Sequence, residues 1–197
     1  MKLVGLTGSI GMGKTTVTRM FADLGAATWN ADEAVHRLYA EGGAATPAIE
    51  KRFPTSVVNG AVDRRRLSEL VLDDATELKA LEEIVHPLVA ADRLQAIESA
   101  SAAGAPAIVL DTPLLFETGA ATAFDKIVVV SAPPDVQRER VLSRPDMTEG
   151  KFLAILAKQT PDGEKRAKAD YVIETGGSIE RTRRRVVEVW RQIVDGA

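Results

Sequence analysis

A short glycine-rich segment near the start of the chain carries the clearest chemical signal. Residues 8–15 read Gly-Ser-Ile-Gly-Met-Gly-Lys-Thr, which matches the phosphate-binding loop (P-loop): Gly, four free positions, Gly-Lys, then Ser or Thr. Its glycines let the backbone curl so that successive N–H groups point at an anion, and the positive end of a following helix adds to that field. Lys14 is then expected to reach the β- and γ-phosphates of a nucleotide, and the Thr15 hydroxyl to ligate Mg²⁺.

The segments on either side of this loop fit the motif. Residues 3–6 are an apolar run that predicts a short buried strand, and residues 16–24 predict a helix. A glycine-rich turn that matches by chance has no need of this strand–loop–helix context. The sequence therefore predicts a protein that binds a nucleoside triphosphate, with contacts from Gly8, Ser9, Ile10, Gly11, Met12, Gly13, Lys14, Thr15 and Thr16.

The bulk composition limits what else the chain can be. Its 197 residues suffice for one α/β core with an inserted subdomain, and its net charge of −3 argues against binding nucleic acid through a broad basic surface. It has no cysteine, which excludes disulfides, thiolate catalysis and Cys-ligated zinc and fits a reducing compartment. No apolar run approaches a membrane span, and glycines and Lys14 interrupt any signal-peptide core. We expect a cytoplasmic protein, and infer no membrane, nucleic-acid or obligate protein partner.

Short apolar runs alternate with helical patterns along the chain. This alternation is typical of an α/β fold with a parallel sheet between helices, here a P-loop NTPase-like sheet of five strands. The predicted strands are residues 2–7, 26–29, 107–111, 126–131 and 171–173. The last helix has the clearest pattern: Ser178 can cap it, and one face carries Ile179, Val186, Val187, Trp190, Ile193 and Val194.

The long stretch between the second and third predicted strands shows helix signals only. Thr46-Pro47 predicts a cap followed by proline at the first helical position, and residues 74–77 predict a variant of the capping box. His86-Pro87 predicts the start of a further helix that runs to residue 104. A helical insertion at this point is where a small P-loop kinase would hold the group that it phosphorylates.

A second irregular stretch, residues 138–170, is markedly basic in an otherwise acidic chain. Its lysines are best interpreted as the solvated face of a helix pair. Arg140 and Arg144 are four residues apart and so share one helix face. Two guanidinium groups beside the phosphates would neutralise the charge that builds up on a transferring phosphoryl group, which favours a functional role for this pair.

The residues favour a small-molecule kinase over a GTPase switch. The base-reading Asn/Thr-Lys-x-Asp and the Asp-x-x-Gly that a switch needs both fail to occur in the sequence. A kinase also needs a carboxylate near the acceptor, and Asp32 follows the second strand at the edge where open parallel sheets bind ligands. It could orient a hydroxyl and take its proton, or it could only cap the next helix; spacing leaves both interpretations open.

Two further positions stay open on the residues alone. Asp111 ends the third strand, where P-loop proteins often hold Mg²⁺ through water, but a strand-end turn residue fits equally well. His86 precedes a proline and could be a helix-start residue or a contact to the acceptor.

These motifs together resemble the dephospho-coenzyme A kinase family over about residues 3–177. The P-loop is shared with many enzymes, and the combination at these separations is the specific part. In chain order the matching motifs are Gly5-Leu6-Thr7-Gly8, Leu24-Gly25, Ala31-Asp32, His86-Pro87-Leu88, Pro113-Leu114-Leu115-Phe116-Glu117, Gln137 with Arg140 and Arg144, Gln159, and Ala169-Asp170-Tyr171-Val172-Ile173.

The resemblance implies ATP- and Mg²⁺-dependent phosphorylation of the ribose 3′-hydroxyl of dephospho-coenzyme A, the last step of coenzyme A synthesis. It also implies three parts: a nucleotide-binding core of residues 1–30, 105–142 and 161–197, a helical acceptor-binding domain of residues 31–104, and a lid of residues 143–160. The resemblance also implies residue roles: Asp32 as catalytic base, Lys14 on the phosphates, Thr15 on the metal, Arg140, Arg144 and Gly176 beside the nucleotide, and His86, Leu115, Phe116 and Glu117 on the acceptor.

The chain departs from the family pattern at two relevant places. Asn30 stands where the family usually has an Asp, and Thr175 stands where it often has an Asn. A P-loop kinase for another acceptor, such as a nucleoside monophosphate or a sugar acid, remains an alternative. A non-catalytic ATP-binding regulator on the same scaffold is the other.

Overall fold

A computed structural model describes residues 1–196 of the chain. The chain divides into two compact units: a core unit, Met1–Thr28 with Ala100–Ala197, and an inserted unit, Trp29–Ser99. The strands are β1 (Lys2–Thr7), β2 (Ala27–Asn30), β3 (Val57–Val58), β4 (Ala61–Val62), β5 (Ala107–Asp111), β6 (Lys126–Ser131) and β7 (Tyr171–Glu174). The α-helices are α1 (Lys14–Asp23), α2 (Ala31–Tyr39), α3 (Thr46–Arg52), α4 (Arg64–Val71), α5 (Ala75–Ala102), α6 (Pro134–Leu142), α7 (Glu149–Leu156), α8 (Asp162–Ala167) and α9 (Ile179–Asp195).

Five strands form one parallel sheet in the order β2-β5-β1-β6-β7, which confirms the predicted α/β class. In register, Leu6 of β1 lies opposite Asp111 of β5 and Val128 of β6. β1 therefore runs through the centre of the sheet and delivers the P-loop at its carboxyl end. The second strand starts and ends one residue later than predicted, and the last continues to Glu174.

Helices α1 and α9 pack together on the core unit. The rings of Phe21 and Trp190 meet at 6.1 Å between centroids. Ser178 caps α9 as predicted, because its side chain accepts a hydrogen bond from the Arg181 N–H. The predicted apolar face is confirmed at Val186, Trp190 and Ile193, which are buried. It is wrong at the helix ends, where Ile179 is 52% exposed and Val194 is 38% exposed.

The inserted unit has its own apolar core, to which α2, α3, α4 and α5 contribute Leu38, Ile49, Leu67 and Val85. It also contains a two-stranded hairpin, β3–β4, where the sequence predicted helices only. That prediction was wrong, because Asn59-Gly60 forms a tight turn that joins two short strands. Both residues have positive φ, the conformation that a tight hairpin turn requires.

The expected helix start at His86-Pro87 is also wrong. Helix α5 is 28 residues long and passes through Pro87. A proline there removes one backbone N–H donor, but tertiary packing overrides this loss: Val85 is buried in the unit's core, and Leu81 and Leu88 pack against it on either side of the proline. Among residues 1–196, no helix is both long and apolar enough to cross a membrane.

Of the two other helix starts predicted in the inserted unit, one matches the structure. Asp74 caps α5, since its Oδ1 accepts the N–H groups of Thr76 at 2.8 Å and Glu77 at 3.1 Å. Thr46 is not a cap but the first residue of α3, and Ala45 holds the cap position. The Thr46 hydroxyl instead donates to the Ala40 carbonyl at 3.2 Å.

Candidate active site

The P-loop ends in a helix terminus that no side chain caps. Gly13 occupies the cap position of α1 with φ of 88°, no side chain makes a capping hydrogen bond, and the first turn carries no acidic residue. Because no side chain caps it, this helix terminus suits an external anion, and the helix dipole favours negative charge there. Lys14 lies over its own loop, where its Nζ donates to the Gly8 carbonyl at 2.9 Å.

Two glycines of the loop allow its close approach to the sheet and to α6. A Cβ atom on Gly8 would lie 2.4 Å from the Val130 carbonyl oxygen. A Cβ atom on Gly11, where φ is +79°, would lie 2.5 Å from the Val141 side chain. The loop is therefore pressed between β6 and α6 at positions where only glycine fits.

The remaining loop residues make specific bonds of their own. The Met12 N–H donates to the Ser9 carbonyl at 3.2 Å, and Met12 Sδ accepts the Ala132 N–H at 3.0 Å. The Ile10 N–H donates to Gln159. These contacts bond the loop to the segment after β6 and to Gln159 at defined positions.

A cleft of about 430 Å³ opens beside this helix terminus. Its size is within the range of small-molecule sites. Six of its lining residues were predicted to bind the nucleotide, and the other four follow β7 in the chain. The lining residues are Gly11, Gly13, Thr15, Thr16, Arg140, Arg144, Thr175, Gly177, Ile179 and Thr182.

Arg140 is fixed in this cleft by Thr175. Its Nη1 donates to the Thr175 hydroxyl at 3.0 Å and its Nη2 to the Thr175 carbonyl at 2.6 Å. The same hydroxyl donates to the Met12 carbonyl at 2.7 Å, so the guanidinium group is tied to the P-loop through one side chain. The sequence did not predict this role of Thr175, and the only sign of it was that Thr175 departs from the family pattern.

Gly176 takes a different place from the one expected. It does not line the cleft, although Thr175 and Gly177 on either side do. A Cβ atom on Gly176 would lie 2.3 Å from Pro133 Cδ, so the residue packs against the start of α6. Its contact with the nucleotide stays a prediction.

Thr15 and Asp111 offer the oxygen ligands that Mg²⁺ prefers. Asp111 ends β5, is 3% exposed and lies beside Leu6, two residues before the P-loop begins. Thr15 is exposed in the first turn of α1 and lines the cleft. A hydroxyl and a carboxylate fit a hard cation that keeps several waters. Residues 1–196 contain no cluster of three or more His, Asp or Glu side chains that could form an all-protein metal cage.

The segment after β5 contains three residues predicted to bind the acceptor. Leu115 is fully buried with Ile127 and Val129, which places its side chain in the core rather than on a surface that an acceptor could touch. Phe116 is partly buried against the same cluster. The implied acceptor contact of the Leu115 side chain is thus corrected to a packing contact.

Glu117 is held by a buried lysine. Lys165, which is 0% exposed, lies with its Nζ 3.0 Å from Glu117 Oε1, and that oxygen also accepts the Thr160 N–H at 2.7 Å. Burial alone would raise the pKa of Glu117, but the Thr160 N–H and the Lys165 ammonium outweigh it and hold that pKa below its usual range. The prediction that Lys165 is a solvated lysine is wrong, since its side chain is fully buried. The sequence could not show this, because the carboxylate that pairs with Lys165 is distant in the chain.

Asp32 and His86 both lie in the inserted unit, and both are exposed. Asp32 is the second residue of α2, but Asn30 is the cap, since its side chain accepts the Glu33 N–H at 3.1 Å. The interpretation of Asp32 as a mere helix cap is therefore wrong. Asn30 keeps the capping function at the position where the family usually has Asp.

Comparison with known proteins identifies the family of the chain. A family model described as dephospho-CoA kinase matches residues 2–181. The chain is 50% identical over 194 residues to a dephospho-CoA kinase of Bradyrhizobium diazoefficiens, covering 98% of this chain and 96% of the relative. It is 54% identical over 186 residues to one of Mesorhizobium japonicum, covering 94% and 93%.

A solved structure supports the same assignment at the level of the fold. The dephospho-CoA kinase from Campylobacter jejuni superposes with a TM-score of 0.73 at 27% identity, covering 98% of each chain. The family match extends from β1 into α9 and so includes the P-loop, the inserted unit and both arginines of the cleft. On the sequence, the site and these relatives together, the chain belongs to the dephospho-CoA kinase family.

Proposed function

We propose that this protein transfers the γ-phosphoryl group of ATP to the ribose 3′-hydroxyl of dephospho-coenzyme A. The observation that carries the proposal is the uncapped start of α1, with Arg140 and Arg144 lining the same cleft, in a chain of this family. Loose transition states of phosphoryl transfer spread negative charge over the phosphoryl oxygens, and positioned donors and cations stabilise that charge.

The nucleotide phosphates are proposed to bind the loop N–H groups from Gly8 to Thr16. Lys14 would exchange its present bond to the Gly8 carbonyl for the β- and γ-phosphates. Arg140 reaches the cleft from α6 and is already oriented by Thr175, so little side-chain entropy is lost when it meets a phosphate. Arg144 lies two residues after the end of α6, so it does not share a helix with Arg140 as the spacing predicted. It is exposed and is proposed to move with the lid, residues 143–160.

Mg²⁺ is proposed to bind the Thr15 hydroxyl directly and Asp111 through water. When bound, the ion supplies a positive charge that offsets charge on the phosphate oxygens. Thr15 and Asp111 would orient it, because Thr15 lies in the first turn of α1 and Asp111 ends a strand next to β1.

Asp32 is proposed to orient the acceptor hydroxyl and to accept its proton. Its exposure and its release from capping by Asn30 support this role, as does the match of Ala31-Asp32 to the family motif. His86, Phe116 and Glu117 are proposed to contribute to acceptor binding, with Glu117 limited by the two bonds it already makes.

The test is ADP release from ATP and Mg²⁺ with four acceptor conditions: dephospho-coenzyme A, AMP, gluconate and none. We expect turnover with dephospho-coenzyme A only. Turnover only with AMP or gluconate would keep a P-loop kinase and reject this acceptor. ATP binding without turnover under every condition would favour a regulator.

A further inference from the structure

One residue of the P-loop, Ile10, has both its backbone N–H and its backbone carbonyl held by glutamine side chains. The Ile10 N–H donates to Gln159 Oε1 at 3.2 Å, and Gln137 Nε2 donates to the Ile10 carbonyl at 2.7 Å. Gln137 is only 6% exposed, so its amide is removed from water and committed to this bond. The two bonds fix both polar groups of a residue that lies between the first two glycines of the motif.

The two glutamines come from opposite ends of the lid. Gln137 lies on α6, one turn before Arg140 and ahead of residue 143, and Gln159 lies three residues after α7. The same face of α6 presses on the loop, since Val141 and the Gln137 carbonyl are the atoms that a Cβ on Gly11 would meet. The helix that precedes the lid and the last residues of the lid are therefore bonded to one P-loop residue, Ile10.

A buried ion pair anchors the second of these ends. Thr160, next to Gln159, donates its N–H to Glu117, and Glu117 is paired with the fully buried Lys165. The chain at Gln159 is thus fixed by its neighbour's backbone and not only by its own side chain.

We infer that Gln137 and Gln159 are positioning residues for phosphoryl transfer: they hold the backbone N–H and carbonyl of Ile10 and thereby tie the shape of the P-loop to the chain at both ends of the lid. The inference rests on the proposed transfer from ATP. Neither glutamine needs to touch the nucleotide. Each acts through the loop, whose N–H groups stabilise the phosphates only if they point at them.

The choice of glutamine has a physical reason. One amide supplies the donor that a carbonyl needs and the other the acceptor that an N–H needs, and neither adds charge. A carboxylate in either place would oppose the negative phosphates. A loop with three glycines has little stiffness of its own, so external bonds must supply the preorganisation.

The first test replaces each glutamine by methionine, which keeps the length of the side chain and removes its hydrogen bonds. Gln192→Met, at an exposed position on α9, is the matched control. For Gln137→Met and Gln159→Met we expect kcat about 10- to 100-fold lower. We also expect a larger ratio of acceptor-free ATP hydrolysis to transfer, because a loosened lid admits water. The control should match the wild type in both readouts.

The second test separates the hydrogen bond from charge and from folding. Gln159→Glu still accepts the Ile10 N–H, whereas Gln137→Glu faces the Ile10 carbonyl with a second acceptor. Both add one negative charge, so Gln137→Glu should lose clearly more kcat than Gln159→Glu. Equal losses in the two, or an unchanged kcat and hydrolysis ratio in the methionine variants, would overturn the inference. A wild type that does not turn over would instead reject the proposed function.

Discussion

Asp32 is an exposed carboxylate that does not cap its own helix, because Asn30 caps α2. If Asp32 takes the proton of the acceptor hydroxyl, Asp32→Asn should lower kcat by about 10²–10⁴-fold and leave the Kd for ATP unchanged. Glu33→Gln is the matched control, since it removes an adjacent exposed carboxylate of the same helix turn. Steady-state kinetics and ATP titration would decide; an effect confined to KM would make Asp32 a ground-state binding residue.

Lys14 is the second residue whose role a single substitution can isolate. We expect its ammonium group to contribute little to the free energy of unfolding, because Lys14 is partly exposed and donates to a carbonyl of its own loop. Lys14→Met should therefore keep the thermal stability of the protein and lower kcat/KM by about 10²–10³-fold. Lys51→Met, at an exposed position on α3, serves as the control. Wild-type turnover in Lys14→Met would contradict the P-loop assignment.

At the scale of elements, the contact of the P-loop with α6 is tight enough to test with one methyl group. Gly11 and Gly25 both have positive φ, +79° and +92°, but only Gly11 has atoms within 4 Å of a built Cβ. Gly25→Ala should destabilise the protein by about 1–2 kcal/mol from backbone strain alone. Gly11→Ala should destabilise it further through its clash with Val141, and should weaken ATP binding. Equal free energies of unfolding in urea for the two variants would refute the tight contact.

The buried pair of Glu117 and Lys165 connects the segment after β5 with α8. Glu117→Gln leaves the Lys165 charge buried without its carboxylate, so we expect a loss of about 3 kcal/mol of unfolding free energy at pH 7. Adding Lys165→Met should recover part of this loss, since no buried charge then remains. Urea unfolding of the two variants measures both effects; a double variant less stable than Glu117→Gln would argue against the pair.

The same pair predicts how stability depends on pH. The pKa of Glu117 is lower in the folded protein than its ordinary value of 4.5, so between these two values the unfolded chain binds the proton and the folded protein does not. The contribution of Glu117 is thus complete above about pH 4.5 and disappears as the pH falls through the folded pKa. The difference in unfolding free energy between wild type and Glu117→Gln should shrink over that acidic window. A difference that stays constant would mean that the Glu117 charge does not contribute.

At the scale of the whole molecule, ligand binding should raise the thermal midpoint. ATP with Mg²⁺ at about 100 times its Kd adds about 2.7 kcal/mol to the stability of the folded state. For a chain of 197 residues this corresponds to a rise of about 5–10 °C. Removing Mg²⁺ with EDTA should reduce the rise and abolish transfer, and Lys14→Met should reduce it without EDTA. Calorimetry with and without each ligand provides the measurement; an EDTA-insensitive rise and rate would exclude the metal role of Thr15 and Asp111.

The sequence predicted the sheet because each of its strands is a local apolar run, and it predicted the P-loop because that motif is contiguous. It failed where packing between distant residues decides. Pro87 stays inside α5 because the core of the inserted unit holds the helix on both sides of it. Lys165 is buried against Glu117, a partner that lies 48 positions earlier in the chain and that a local pattern cannot indicate. Thr175 and Arg140 are 35 positions apart in the chain, and the pairing of β7 with β6 places Thr175 where it can orient Arg140.

The most direct test of the account is the identity of the product. Wild-type protein would be incubated with ATP, Mg²⁺ and dephospho-coenzyme A, and the product examined by mass spectrometry and by phosphorus–hydrogen coupling in NMR spectra. We predict a product heavier by one phosphoryl group, with the new phosphorus coupled to the hydrogen on the ribose 3′ carbon. A phosphoryl group at any other position, or ADP release without a phosphorylated acceptor, would contradict the proposed function.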